Sequence, residues 1–392
     1  MDSRVRLPSL SHVALATPLL ALACGPATPH PTAATVTDSA GVRIVEYAAP
    51  DAWPAPASAH ELLRIGAVEG PPELLFSRIP AGVLLDDGSI VLADAGSREL
   101  RHFAADGSLL GVQGGTGQGP GEFEFIVGSG KCSAEGFAVF DIGWSANLYD
   151  ESGSFLEKRA SRLEGGVQPY LLACGRRGRV ASIGWSIPDG GPPQGFHVAT
   201  AALRLYEPDG ALALDLGKRI SSERFGQPSG SGPHPIGRST KVAFVDSDLI
   251  VSDGTFFGFE RWSSEGVLSE IVRVDVPLPD ADSAMALYLE TALARAPDDE
   301  TRIRWQKDIE GMGLPPRPSY LSDLFVTDEI LLLKELSIRG SGRWFEFVAE
   351  AGFRLAAIPS EAKLLDVRGD RILVEERDSL GVPMAVLYSR SP

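Results

Sequence analysis

Histidine and cysteine are scarce in this chain of 392 residues, which has six histidines and three cysteines. No HxH or HExxH spacing occurs, so the sequence does not predict a catalytic zinc with its usual three protein ligands. The G-x-S-x-G pattern of a nucleophilic serine is also missing. The glycine-rich run from Gly114 to Gly121 lacks a GK[ST] ending and precedes a predicted strand, so it does not indicate a nucleotide site.

Positive charge is also in short supply. Lysine and arginine number 36 against 52 acidic residues, which gives a formal net charge of −16. Nucleic acids and anionic lipid surfaces select basic patches, so neither is an expected partner. A net negative charge also increases solubility, and this alternative explains the acidic composition without any binding partner.

Long apolar runs are confined to the start of the chain. Arg4 and Arg6 precede the apolar run Val13–Ala23, which is shorter than the roughly 20 residues that a spanning helix needs. Residues 1–23 therefore read as a signal peptide. Leu20-Ala-Leu-Ala-Cys24 resembles a bacterial lipobox, in which the cysteine is lipidated; an ordinary signal peptide with an incidental cysteine is the alternative.

These features predict an extracytoplasmic, membrane-anchored lipoprotein of the periplasm or outer membrane, which meets the membrane only through its lipid. Residues 24–60 are rich in Ala, Pro and Thr, the composition of a tether. A short apolar segment, Val42–Tyr47, interrupts this stretch and could form one strand.

The rest of the chain repeats itself. Phe103-Ala-Ala-Asp-Gly107 has the pattern of a hairpin tip, in which Gly adopts positive φ. The tip recurs at Tyr149–Gly153, Tyr206–Gly210, Trp262–Gly266 and Val348–Gly352. A turn followed by a short β run precedes most tips and begins at Gly88, Gly136, Gly178, Asp248, Glu329 and Asp370. Repeats of this kind, at periods of about 40–50 residues, indicate propeller blades.

The repeats predict an all-β fold over residues 61–392, a six-bladed β-propeller of four-stranded antiparallel blades. The sixth repeat lacks its last strand, and residues 61–67 are the natural replacement, which closes the ring and covers a free edge. Residues 188–194 and 221–239 read as Gly/Pro/Ser-rich loops inserted in blade 3. Residues 280–311 read as a helical insertion between blades 4 and 5, which either caps the ring or contacts a partner.

One stretch carries a family resemblance. Ile90-Val-Leu-Ala-Asp-Ala-Gly-Ser-Arg-Glu-Leu-Arg-His-Phe103, with the link Gly119-Pro-Gly-Glu-Phe123, resembles the NHL-type six-bladed propellers of bacterial envelope lipoproteins. The resemblance covers residues 61–392, but only blade 1 matches closely. It implies the fold more strongly than any site, because propellers host many functions.

Acidic residues near the ends of the second strands are the candidate metal ligands. Asp94, Asp141 and Asp253, with Glu335 and Glu375, could offer the oxygen ligands that Ca²⁺ prefers. The alternative comes from the resemblance, which implies that Asp94 and Asp141 hold the following loop through hydrogen bonds. The sequence predicts no cofactor other than a possible Ca²⁺, and it assigns no catalytic residue.

Exposed aromatic residues in the same loops suggest a binding site. Trp144, Trp185 and Phe257, with Asp141 and Asp253, are expected to line one mouth of the central channel. We therefore expect a ligand- or protein-binding module, whose ligand is a protein, a peptide or a glycan. The alternatives are burial of these rings beneath the helices and, for function, a divalent-metal-dependent hydrolase or lyase acting in the channel.

Cys132 and Cys174 occupy equivalent positions, each four residues before the turn glycine of its blade. In an oxidising compartment a disulfide between them is plausible if their Cα atoms approach within about 7 Å. Two buried free thiols are the alternative.

The lipid anchor can be tested at Cys24. We expect Cys24→Ala to leave the precursor uncut or to release the protein from the membrane fraction, because the lipidated side chain is gone. Fractionation followed by mass measurement of the chain checks this. Unchanged size and unchanged membrane association in the variant would refute lipidation at Cys24.

Overall fold

The computed structural model describes residues 34–56, 58–133, 136–141, 145–160, 168–175, 178–185, 193–227, 230–327, 330–338, 342–349 and 351–390. The strands of these residues form six sheets, arranged as the blades of a β-propeller. Within each blade, consecutive strands pair antiparallel from the first strand outward. The predicted fold class is confirmed, although two blades carry more than four strands.

Three N-terminal strands come first along the chain: β1 (Ala34–Ser39), β2 (Val42–Ala48) and β3 (Ala59–Ile65). Blade 1 follows with β4 (Gly82–Leu84), β5 (Ile90–Asp94), β6 (Glu99–Phe103) and β7 (Leu109–Gly114). Blade 2 consists of β8 (Ile126–Ser133), β9 (Gly136–Asp141), β10 (Ser145–Asp150) and β11 (Phe155–Ala160).

Blade 3 has five strands, β12 (Gln168–Cys174), β13 (Val180–Trp185), β14 (Gly195–Tyr206), β15 (Leu212–Gln227) and β16 (Gly230–Pro233). The loop predicted over residues 221–239 is therefore wrong in part, because β15 and β16 extend this sheet as a long hairpin. Blade 4 contains β17 (Lys241–Val245), β18 (Asp248–Ser252), β19 (Phe257–Trp262) and β20 (Leu268–Asp275).

Blade 5 contains β21 (Leu321–Val326), β22 (Leu331–Glu335), β23 (Trp344–Val348) and β24 (Gly352–Leu355). Blade 6 contains β25 (Lys363–Arg368), β26 (Arg371–Arg377) and β27 (Pro383–Arg390). Its fourth strand is β3, which pairs antiparallel with β27 in the register Leu387 to Leu63. The last blade thus joins strands from both ends of the described chain.

The hairpin tips predicted from the repeat are turns in the structure. The glycine of each tip has a φ between 79° and 86°, a region that side chains with a Cβ rarely adopt. At the first tip the N–H of Gly107 donates to the carbonyl of Ala104 over 2.9 Å. The outermost strand of the blade follows each tip, as the repeat predicts.

Apolar side chains pack between neighbouring blades. In the described residues each of the six blade interfaces has its own buried cluster, including one between blade 6 and blade 1 that contains Leu387 and Leu84. At that last interface the buried carboxylate of Asp366 also accepts the N–H of Leu84 over 2.8 Å. The ring is therefore closed by contacts of the same kind that hold the other blades.

The insertion between blades 4 and 5 is a pair of helices, α1 (Ala281–Ala294) and α2 (Asp299–Glu310). Asp280 and Asp298 cap them by accepting N–H groups from the first turn of each helix. Met285 and Ile309 pack with Ile236, which precedes blade 4, and with Ile338 of blade 5. Neither helix is long and apolar enough to cross a membrane, and the same holds for the rest of the described residues.

The strand predicted at Val42–Tyr47 is confirmed as β2, whereas Ala34–Ser39, predicted as part of the tether, forms a further strand, β1. β2 pairs in parallel with β20, the outer strand of blade 4, and β1 pairs with β2 at the new edge. Val45 and Tyr47 are buried in the cluster between blades 4 and 5, where the ring of Tyr47 meets Phe353 edge to face at 6.0 Å. In β2, side chains alternate between the protein interior and the outside. The average composition of residues 24–60 does not reveal this alternation.

Burial of Tyr47 yields a test. Tyr47→Ala should lower the free energy of unfolding by about 3–5 kcal/mol, because a large aromatic ring leaves a cavity between two blades. Val36→Ala on β1 is the control; Val36 is 53% exposed, and a change at such a site is worth within about 0.5 kcal/mol. Urea unfolding of both variants measures the difference, and equal midpoints would mean that β2 does not stabilise the propeller.

Candidate functional site at the central channel

The first strands of the six blades surround a cavity on the axis of the ring. Its volume is about 200 Å³, and polar and apolar groups contribute almost equally to its lining. Each blade contributes, with apolar side chains that include Val83, Phe140, Ala173, Ala243, Phe325 and Leu365. Its polar side chains include Ser129, Asp246, Thr327 and Asp366. A cavity that combines apolar contact area with convergent polar groups can hold a small molecule.

The cavity occupies the later half of the first strands. Its lining includes Gly175, Asp246 and Thr327, which lie at or beside the turns that lead to the second strands. The helices pack at the opposite ends, over the link that precedes β17 and the loop that follows β22. The earlier half of each first strand therefore lies on the side of the helices.

Charged side chains gather at those earlier ends. Lys241 begins β17, Asp323 is near the start of β21, and Lys363 begins β25, so three successive blades contribute. Lys334 is the partner of Asp323 across the β21–β22 pair. On these strands the cavity-lining residues follow within two positions. We call this group, together with Arg78, Phe125 and Val127, the channel mouth.

The environment of Asp323 is unusual for a carboxylate. Its side chain is exposed to solvent, but many protein atoms lie around it, and the resulting partial desolvation raises its pKa. The positive charges of Lys241, Lys334 and Lys363 act in the opposite direction and do not overcome the effect of burial. A carboxylate at this depth that remains accessible faces the channel.

The lysines show the complementary effect. Burial lowers the pKa of both Lys334 and Lys363. The charge of Asp323 acts against this at Lys334, and the charge of Glu375, followed by that of Asp323, acts against it at Lys363. The ammonium of Lys363 donates to the carbonyls of Ile79 at 3.1 Å and Pro80 at 2.8 Å. Lys334 lies 5.4 Å from the centre of the Trp344 ring, within the range of a cation–π contact. Lys334 is half-buried, whereas Lys363 remains exposed and is held by its two carbonyl partners.

Asp323 is not joined to any of these lysines by a direct ion pair. Among the described residues, its Oδ1 accepts the N–H of Leu324 over 2.9 Å, and this is its one hydrogen bond. Lys241 donates to the hydroxyl of Ser239 over 2.8 Å. The positive charges of the three lysines thus act to lower the pKa of Asp323 without direct contact with its carboxylate.

An apolar wall borders the charges. Phe125 and Val127, at the start of blade 2, are 42% and 47% exposed. The guanidinium of Arg78 lies over the Phe125 ring at 4.8 Å from its centre, and its Nη2 is buried without a hydrogen-bond partner among the described residues. The mouth therefore offers an aromatic surface directly beside positive charge.

The acidic residues predicted as metal ligands hold loops instead. Asp94 ends β5, and its two oxygens accept the N–H and hydroxyl groups of Ser77 and Ser97 at 2.8–3.0 Å. Asp141 ends β9 and accepts the N–H groups of Glu124 and Phe125 at 2.8 and 2.7 Å. Both carboxylates are buried, so the alternative from the family resemblance describes them better than calcium binding does.

The other acidic candidates are also engaged. Asp253 accepts the N–H of Thr255 over 2.9 Å, Glu335 pairs with Arg343 at 2.9 Å, and Glu375 pairs with Arg377 at 2.7 Å. No three His, Cys, Asp or Glu side chains within the described ranges come together as a metal site. Asp253 is half-buried and does not line the axial cavity.

The predicted aromatic lining is wrong for Phe257. This residue is 3% exposed and packs edge to face on Phe345, at 5.0 Å between ring centres, in the interface of blades 4 and 5. Phe257 begins β19, and its side chain belongs to the hydrophobic core between the two blades. Trp185 ends β13, but its side chain, like all of Trp144, lies outside the described part of the chain.

Cys174 ends β12, lines the axial cavity and is disulfide-bonded. Its first strand contacts β8, which contains Cys132. The side chain of Cys132 and all of Cys24 lie outside the described residues, so the pairing of Cys132 with Cys174 stays a prediction.

Sequence reasoning missed the channel mouth. The signal was a charged residue on a first strand that is otherwise apolar, as in Lys241-Val-Ala-Phe-Val245 and Leu321-Ser-Asp-Leu-Phe-Val326. From the sequence alone, such a charged residue is interpreted as lying on the solvent-exposed face of a sheet. In a closed ring the same position points toward the axis.

No family model matches the chain, and no curated protein matches it. Among solved structures it is similar to a Bacteroides fragilis protein inferred to be exported, with a TM-score of 0.50 and 11% identity over 89% of this chain and all of that one. It is also similar to a gluconolactonase from Xanthomonas campestris, with a TM-score of 0.42 and 13% identity over 85% and 99% of the two chains.

A virginiamycin B lyase from Staphylococcus aureus is similar at a TM-score of 0.39 and 12% identity, over 81% of this chain and 97% of that one. Identities this low carry the fold and no activity. The class of protein that the fold defines is the β-propeller.

The loop-holding role of Asp94 can be measured. Burial raises its pKa, but the hydrogen bonds from Ser97 and Ser77 outweigh that effect, so the pKa is lowered overall. A lowered folded-state pKa adds stability above the unfolded value of about 3.9, and this stability is lost as pH falls through the folded value. Asp94→Ala should therefore cost about 2–4 kcal/mol at pH 7, and the cost should shrink as pH falls below the unfolded value of about 3.9.

The control is Asp370→Ala, which removes the same charge from an exposed turn and should cost under about 0.5 kcal/mol. Thermal unfolding between pH 3 and pH 7 compares the two. An Asp94→Ala variant as stable as the control at pH 7 would contradict the loop-holding role.

Proposed function

We propose that this protein is a lipid-anchored, extracytoplasmic binding module that takes a small ligand, or one end of a peptide or glycan, into its central channel. The observation that carries the proposal is the axial cavity of about 200 Å³, to which all six blades contribute. Binding sites usually combine apolar contact area with a few convergent polar groups, and this cavity does the same.

Two further points support a role in the cell envelope. The chain begins with a basic segment, an apolar run and the lipobox-like Leu20–Cys24. The solved structure with a TM-score of 0.50 belongs to a protein inferred to be exported. An oxidising compartment also suits the disulfide at Cys174.

The competing function is a divalent-metal-dependent hydrolase or lyase with its site in the channel. It needs carboxylates or imidazoles that are free to bind a metal, whereas Asp94 and Asp141 use their oxygens for backbone N–H groups. A binding module needs no such group. These hydrogen bonds count against Asp94 and Asp141 as metal ligands, and the axial cavity supports binding.

Filling the cavity tests the proposal. We expect 2-naphthamide, a neutral aromatic probe, to bind at one saturable site, and both Ala243→Phe and Ser129→Phe to weaken this binding at least about tenfold by occupying the cavity. Leu110→Phe, on an exposed outer strand, is the control and should bind as the unmodified protein does. Fluorescence titration and calorimetry measure the affinities.

Equal affinity in the filled and control variants would show that the cavity is not the binding site. Metal analysis of the dialysed protein accompanies the titration. Stoichiometric Ca²⁺ or Zn²⁺ that survives dialysis would favour the hydrolase or lyase instead.

A further inference from the structure

The last strand of each sheet has a free edge at the outer rim of the ring. Half of the N–H and C=O groups of such a strand have no strand partner, so an exposed edge can pair with a second chain. Proteins usually prevent this pairing with charged side chains or with proline on the edge strand. In the described sheets the outer edge strands are β1, β3, β7, β11, β16 and β24.

Five of these strands contain a charged residue or a proline. β1 has Asp38, β24 has Arg354 and β16 ends at Pro233. Both β3 and β11 contain two or more charged residues. β7, with the sequence Leu109-Leu-Gly-Val-Gln-Gly114, has neither a charge nor a proline. Among the described outer edges, that of blade 1 alone lacks both kinds of protection.

β7 also exposes apolar side chains. Leu109, Leu110 and Val112 are 39%, 58% and 48% exposed. A bulge in the β6–β7 pair leaves Leu110 without an opposite residue in β6. A Cβ atom added at Gly111 would meet no atom within 4 Å, so open space lies beside the strand. An apolar, uncharged strand edge is thus open to solvent on the rim of the ring.

A second copy of this chain fits the edge of β7. Antiparallel pairing of two identical strands is two-fold symmetric, so both copies use the same edge and the assembly closes as a dimer. Each copy has a net charge of −16, which opposes approach through charged surfaces, whereas β7 carries no charge. Asp106 is the acid nearest to β7 along the chain. In an antiparallel pair the Asp106 residues of the two copies lie at opposite ends.

We propose that this protein forms a two-fold symmetric dimer in which the β7 strands of two copies pair antiparallel. The free N–H and C=O groups of each edge bond to the other copy, and the exposed Leu109, Leu110 and Val112 side chains of both copies are brought together. The axial cavity stays accessible, because the contact is on the outer rim. The dimer therefore does not depend on what the channel binds.

Sedimentation equilibrium of the chain from Gly25 onward, which contains every described residue, tests the dimer. We expect a dimer at micromolar protein concentration. Val112→Lys should weaken it at least about tenfold, because a charge on an edge strand opposes pairing and the two lysines repel each other. Leu156→Lys, at a 56% exposed position on the edge strand of blade 2, is the matched control and should leave the dimer unchanged. Thermal unfolding confirms that both variants are folded.

Hydrogen exchange distinguishes strand pairing from contact between side chains alone. We expect the backbone amides of β7 to exchange more slowly as the protein concentration rises, because those at the free edge become hydrogen-bonded. The amides of β11 should not change. No slowing in β7, or slowing only elsewhere, would contradict the pairing.

A chain that remains monomeric, or a dimer that Val112→Lys affects no more than Leu156→Lys does, would overturn the proposal. Phosphatidylcholine vesicles test a lipid surface as the other occupant of this edge. A monomer that sediments with the vesicles, and no longer does so after Val112→Lys, would assign the edge to the membrane and overturn the dimer.

Discussion

The packing of apolar side chains between neighbouring blades is the interaction on which the rest of the structure depends. Each blade is a sheet with two apolar faces, and a single sheet cannot bury both. A closed ring gives every face a partner, and in the described residues each interface contains a buried cluster. The axial cavity follows from this closure, since six first strands meet without filling the centre.

Polar side chains fix the segments that link the blades. Apolar packing alone does not fix the conformation of these segments. Arg101 on β6 donates to the carbonyls of Glu73 and Leu75 at 3.0 and 2.8 Å, and so holds the link that leads into blade 1. On the equivalent strand of blade 2, Asn147 bonds to Gly121 and to Glu122 at 3.2 Å. The sequence pattern that resembles NHL blades thus reflects hydrogen bonds that hold the links between blades, and it does not mark a binding site.

The same geometry explains why the channel mouth concentrates charge. Lys241, Asp323 and Lys363 occupy the first strands of successive blades, so ring closure brings them toward one axis although some 80 and 40 residues separate them along the chain. Protein on all sides lowers the local dielectric, and charge interactions strengthen there.

The sequence by itself determined the blades. The recurring tips, their glycines at positive φ and the two capped helices all depend on neighbours close in the chain, and local patterns reveal such features. Only the tertiary structure decided which residues face the axis, why Phe257 is core, and that residues 34–48 belong to blade 4 rather than to a tether. These features depend on contacts between distant segments, and a charged or aromatic side chain has the same local pattern whether it meets solvent, another blade or the channel.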